Sequence, residues 1–229
     1  MRRIYNLLAS FNLGLWLTAA VMLLLAAGSF SDGASEAGSI NDLPLLQWLR
    51  EAPLSSSWWL WGAVGVLALL ALNTLLCSIE SLRMKLGRGN LLAALAPQMM
   101  HLGFLLIILA HLFSASGGMK RVLEVREGSA LALPGGDAVR FERITAVAGM
   151  RGMLTSLGAE LRFADGSAAS IAPNRPAFRG GFGIYIKDAV AFPFPAALVE
   201  VHREPGARWA LAGALLFLAG NLVLLARRR

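Results

Sequence analysis

The chain has 229 residues, 56% of them hydrophobic and 15% charged, with a mean hydropathy of +0.61, and a soluble fold of that size does not carry this balance. A bilayer is therefore the expected solvent. The formal net charge of +7 does not point to nucleic acid, because basic residues of a membrane protein accumulate on its cytoplasmic side and are counted by location.

About 18 apolar residues cross roughly 30 Å of hydrocarbon as a helix. Four runs reach that length, at 11–30, 58–79, 98–116 and 208–226. Residues 1–30 thus hold a short N-terminus and the first span. Because this span follows Met1-Arg2-Arg3 and precedes the small, polar run from Gly28 to Ser39, a cleaved signal peptide stands beside a retained anchor, and the anchor is the expectation. A loop at 31–57 leads to the second span, with Trp58, Trp59 and Trp61 at its mouth. This span holds the single cysteine, Cys77, which excludes an intramolecular disulfide and a Cys-rich metal site, so a structural thiol is expected. Segment 80–97 is a basic loop, 98–116 the third span, and 208–229 the fourth span with a basic end.

Orientation follows from Arg2 and Arg3, from Arg83, Lys85 and Arg88, and from Arg227, Arg228 and Arg229, which all fall on one side of four crossings. That side is the cytoplasm. The 31–57 loop, with Asp32, Glu36, Asp42 and Glu51 against Arg50, then lies outside, and Trp58, Trp59, Trp61 and Trp209 mark the outer interface.

Residues 117–207 are polar enough to fold in water and alternate like strands. Leu157, Ala159, Leu161 and Phe163 alternate with small or polar neighbours up to Asp165-Gly166, a favoured hairpin pair. Ile184 and Ile186 share a face, as do Val199 and Val201, with Glu200 and His202 opposite. The expected fold is a membrane α-helical protein with four transmembrane helices and a small extracytoplasmic all-β domain between helices three and four.

Motifs of independent catalysis are missing: there is no phosphate-binding Gly-Lys-Ser/Thr loop, paired-histidine zinc helix, Gly-x-Ser-x-Gly elbow or Cys-x-x-Cys-His haem site. The candidate ligands are His101 and His111 in the third span, where an ionisable group is costly and needs a partner or a role. Ten residues separate them, about 15 Å along a helix and about 80° around it, so they cannot share one metal. Each is either a hydrogen-bonded packing histidine or an axial haem ligand completed from elsewhere. His202 reads as a solvated strand residue. Asn73, Thr74 and Ser78 read as interhelical hydrogen-bonding groups, and Gly14, Gly62, Gly65 and Gly103 as sites of close helix contact. Arg140, Arg143, Arg151, Arg162, Arg175 and Arg179 either receive an anionic group such as a haem propionate or face water and headgroups.

Several phrases, in order, resemble the ResB family, also called CcsB, of the System II cytochrome c maturation machinery. They are Asn73-Thr-Leu-Leu-Cys77-Ser-Ile-Glu-Ser-Leu-Arg83, the His101-Leu-Gly-Phe opening of the third span, and its Ser114-Ala-Ser-Gly-Gly close. Arg121-Val-Leu-Glu-Val-Arg-Glu-Gly128, Pro173-Asn-Arg-Pro176 with Gly180 to Tyr185, and Glu204-Pro-Gly206 before the last helix complete the pattern. The outer domain is smaller than is common in that family. The resemblance implies a multi-pass subunit of the bacterial cytoplasmic membrane, both termini cytoplasmic, with its β domain on the periplasmic or outer side. It implies a ResC/CcsA-type partner, with which haem b is bound jointly, moved outward and attached to apocytochrome c. His101 matches the family position implicated as an axial haem ligand; His111 is retained as the second candidate. The chain would not be catalytic alone but one subunit of a haem lyase complex. The alternative is a cofactor-free structural scaffold of a membrane complex.

Overall fold

The computed structural model describes residues 2–31, 34–35, 38–40, 44–85, 91–148 and 154–226, of which 34–35, 38–39, 85, 91–94, 148 and 154–155 are described by backbone alone. Arg88, Arg151 and the Arg227 to Arg229 cluster lie outside the described residues. The chain divides into a helical unit, Met1–Ser116 with Pro205–Arg229, and a β unit, Gly117–Glu204.

In the helical unit, α1 (Arg2–Leu8) stops just before Ser10, whose hydroxyl accepts the Leu13 amide and caps α2 (Phe11–Ser29). A two-residue ladder pairs β1 (Ala34–Ser35) with β2 (Gly38–Ser39), and α3 (Leu45–Glu51) follows. This short helix falls within the segment expected to be loop. It forms because Trp48 and Leu49, fully and almost fully buried, pack with Ala52 and Leu60. The long helix α4 (Leu54–Lys85) overruns the expected span at both ends, and α5 (Leu91–Gly117) carries Pro97 inside it. After the β unit comes α6 (Ala207–Ala226). Among the described residues four helical stretches are long and apolar enough to cross a membrane: Phe11–Ser29, Leu54–Met84, Leu95–Gly117 and Ala207–Ala226.

Contacts between these helices depend on small residues. Trp59, expected at the outer interface, packs where Gly28 leaves room: a Cβ there would lie 2.3 Å from its ring. Gly206, Gly213 and Gly220 recur every seven residues and meet Ala110, Gly103 and Ala96 of α5 in antiparallel order. Cβ atoms added to the three glycines would lie 2.0, 2.7 and 2.7 Å from the Ala110, Gly103 and Ala96 carbonyl oxygens. In a bilayer, where apolar burial drives nothing between helices, such backbone approach is a main source of cohesion. Gly65 departs from expectation, since a Cβ there would meet nothing within 4 Å.

The β unit is a sandwich of two antiparallel sheets. One is ordered β3-β10-β9-β8, from β3 (Met119–Arg126), β10 (Ala196–Arg203), β9 (Phe182–Val190) and β8 (Ala177–Arg179). The other is ordered β4-β5-β6-β7, from β4 (Ala130–Ala132), β5 (Ala138–Ala148), β6 (Leu154–Phe163) and β7 (Ala168–Ile171). Residues alternating along the strands build the shared core: Val139, Phe141 and Leu161 from one sheet and Ile184, Val199 and Val201 from the other are all at most 2% exposed. The β6–β7 hairpin turns at Gly166, whose φ of 82° requires glycine or a strained residue. Asp165 accepts from the Ser167 amide (3.0 Å) and hydroxyl (2.6 Å). Bulges at Glu142 and Lys187 interrupt the β5–β6 and β9–β10 registers.

Candidate functional site

The structure gives the polar residues in the C-terminal half of α4 different tasks. The Asn73 amide donates to the Leu8 and Ser10 carbonyls (2.6 and 3.0 Å), and the Cys77 thiol donates to the Ala9 carbonyl (3.2 Å). Between them they satisfy the backbone that the α1–α2 break leaves open. Tyr5 adds a hydroxyl bond to Glu80 at 3.1 Å. The role of Cys77 in this contact is structural. Thr74 bonds the Leu70 carbonyl of its own helix at 2.8 Å, and no interhelical bond to it is described.

Ser78 points to α5. Its Oγ lies 2.8 Å from Nδ1 of His101, linking two apolar helices by one polar contact. Ser78 is six residues before Met84 and His101 six residues after Leu95, the adjacent ends of their membrane-length segments, so each lies about 9 Å along its helix from that end. His101 is half-buried. With Nδ1 engaged, Nε2 is the nitrogen left for another group. His111 is exposed, and the structure does not bring it to His101 or Ser78. Gln98, one turn before His101, has both side-chain amide atoms buried without a hydrogen-bond partner. Among the described residues no three His, Cys, Asp or Glu side chains converge where they could hold a metal ion.

In the β unit, Glu200 is only 7% exposed, buried beneath Lys187 at 3.0 Å and Lys120 at 3.5 Å. Burial alone would raise its carboxyl pKa, but the Lys187 and Lys120 ammoniums outweigh burial and hold it below the ordinary value. On this polar strand face Glu200 is therefore buried under an ion-pair cluster whose two lysines remain about half exposed. His202 joins its edge, within 2.9 Å of Glu204. Carboxylates also take up the candidate anion receivers: Arg143 meets Glu160, Arg162 meets Glu142, and Arg179 bridges Asp137 and Asp165. Arg140 donates to the Gly128 carbonyl. These four are engaged within the domain. Pro173, Asn174, Pro176 and Tyr185, neighbours in the family-like pattern, line one shallow depression with Leu157, Ile186 and Lys187, and Asn174 there adopts a φ of 60°.

Sequence reasoning singled out both histidines and read Ser78 as an interhelical hydrogen-bonding group, as the structure shows it to be; it did not pair Ser78 with His101, which is 23 residues away, and it missed the Gln98 orphan. No family model matches this chain, and no curated protein matches it. Among solved structures the chain is similar to "Cytochrome c Heme Lyase CcmF", with 18% identity and a TM-score of 0.48 over 89% of this chain and 34% of that one. The chain thus spans about a third of that protein's length, and a likeness of this degree establishes neither family nor function.

Proposed function

We propose that the chain is a haem-handling subunit of a System II cytochrome c synthetase, in which His101 supplies one axial nitrogen to haem b within the membrane. Haem is cargo in this reading, passed outward with a ResC/CcsA-type partner that provides the other axial ligand. The observation that carries it is the Ser78–His101 contact: a half-buried imidazole, placed where the ResB-like pattern puts its ligand histidine, with Nδ1 occupied and Nε2 left over. The donor chemistry fits, because a neutral imidazole in an apolar helix pair is a suitable ligand for haem iron. This chain's own residues hold and orient; thioether formation on apocytochrome c belongs to the complex. Both termini are then cytoplasmic and the β unit faces outward, as Arg2, Arg3, Arg83 and Lys85 favour.

The competing reading is a cofactor-free scaffold, favoured by the fact that Asn73 and Cys77 only tie helices together. Colour separates the two. The purified complex of this chain with its partner is expected to show a Soret band that His101→Ala abolishes, that added imidazole partly restores, and that His111→Ala leaves in place. An active, colourless complex establishes the scaffold instead. Loss of haem from the His111 variant alone moves the ligand to His111.

A further inference from the structure

We infer that Ser78 is the positioning residue of His101, accepting the Nδ1 proton and so presenting Nε2 as the bare, metal-binding nitrogen. The inference rests on the haem-ligand reading above and adds to it the residue that sets the ring's tautomer and aim. A neutral imidazole carries one proton, and only the nitrogen without it can bind iron. Ligating histidines almost always donate their second ring N–H to a fixed acceptor, which orients the ring and raises its basicity. In water any solvent molecule does this. Inside a membrane helix pair the acceptor must come from protein, and the Ser78 oxygen at 2.8 Å is the partner the structure describes for His101. Serine is suited to the task because its hydroxyl proton can turn toward a carbonyl of its own helix, leaving the oxygen to accept. Asn73, Thr74 and Cys77, nearby polar groups of this stretch, are committed to carbonyls of α1, of the α1–α2 break or of α4 itself. Ser78 is the one directed at α5.

The opposite polarity, Ser78 donating to Nδ1, would put the proton on Nε2 and block ligation. The two arrangements predict opposite results. The test compares Ser78→Ala, Ser78→Thr and His101→Ala in the full chain, purified with its partner, reading haem retention, reduction potential and the electron-paramagnetic signature of the ferric state. Under the inference Ser78→Ala weakens haem retention by about 10- to 100-fold. It also raises the reduction potential, because the imidazole loses basicity, while Ser78→Thr keeps the hydroxyl and restores both. A purely structural serine would change thermal stability but not potential or signature. Unchanged or tighter haem binding in Ser78→Ala, with His101→Ala losing haem, overturns the role of Ser78 and leaves the ligand assignment standing. Wild-type haem binding in His101→Ala overturns the ligand assignment itself.

Discussion

The α5–α6 contact yields a prediction whose size can be worked from distances. In Gly213→Ala the new methyl would lie 2.7 Å from the Gly103 carbonyl oxygen, 2.9 Å from Ile107 Cγ1 and 3.1 Å from the Ile107 amide nitrogen. Two of these neighbours are backbone and cannot rotate away, so the helices must separate. Overpacking of this kind costs about 1–3 kcal/mol. Alanine returns about 1 kcal/mol through its better helix propensity, so a net loss of roughly 0–2 kcal/mol is expected. Gly65→Ala is the matched control: it adds the same methyl to α4 with nothing within 4 Å, and should stabilise by about 1 kcal/mol. The assay is denaturant unfolding in mixed micelles, followed by the fluorescence of the tryptophans, among them Trp209, whose ring centroid is 6.3 Å from that of Phe113 across the same helix pair. Gly103→Ala added to Gly213→Ala should cost less than it does alone, because the first methyl has already parted the backbones. If Gly213→Ala proves as stable as Gly65→Ala, the close approach of α5 and α6 is refuted.

Asn73→Leu removes the donor to the Leu8 and Ser10 carbonyls and should lower the stability of the helical unit by about 1–3 kcal/mol, read in the same unfolding assay. Phe141→Ala, at a fully buried position, should cost about 3–5 kcal/mol and expose the β unit of the full chain to protease at temperatures the native protein resists. The Asp165 carboxyl is held at about 2, against an ordinary 3.8, by the Ser167 hydroxyl and amide and by Arg179. A depressed folded-state pKa adds stability that is present above the unfolded value and is lost as pH falls through the folded one. Protease resistance of native protein and Asp165→Asn should therefore differ at pH 5 and converge as pH falls toward about 2.

The long apolar runs and the Asp165-Gly166 hairpin were legible because each signal is local: hydrophobic length for the helices, alternation ending in a left-handed glycine for the turn. Leu161 and Phe163 point inward as the alternation requires, at 0% and 7% exposure. Helix α3 was not legible, since its seven residues are held by Trp48 packing near Leu60 on another element. The bulges at Glu142 and Lys187 each add one residue to a strand and leave no mark on composition. At the candidate site both histidines stood out as ionisable groups in an apolar run, but their difference did not. Only the fold shows that His101 has a hydroxyl within 2.8 Å while His111 is exposed.

In the β unit the first and last strands lie side by side, with Met119 paired to Arg203, so chain enters and leaves that unit at neighbouring points. In the helical unit Ala110 of α5 and Gly206 touch backbone to backbone, which brings the two cut ends of that unit together as well. Each unit thus closes its own ends and asks nothing of the other to keep them joined. The inserted segment behaves thermodynamically like a loop whose closure is already made, and extra length within it carries only a slow, logarithmic penalty. Growth or pruning of the β unit is then nearly free of consequence for helix register, so that unit can change size while the half-buried histidine and its serine stay where they are.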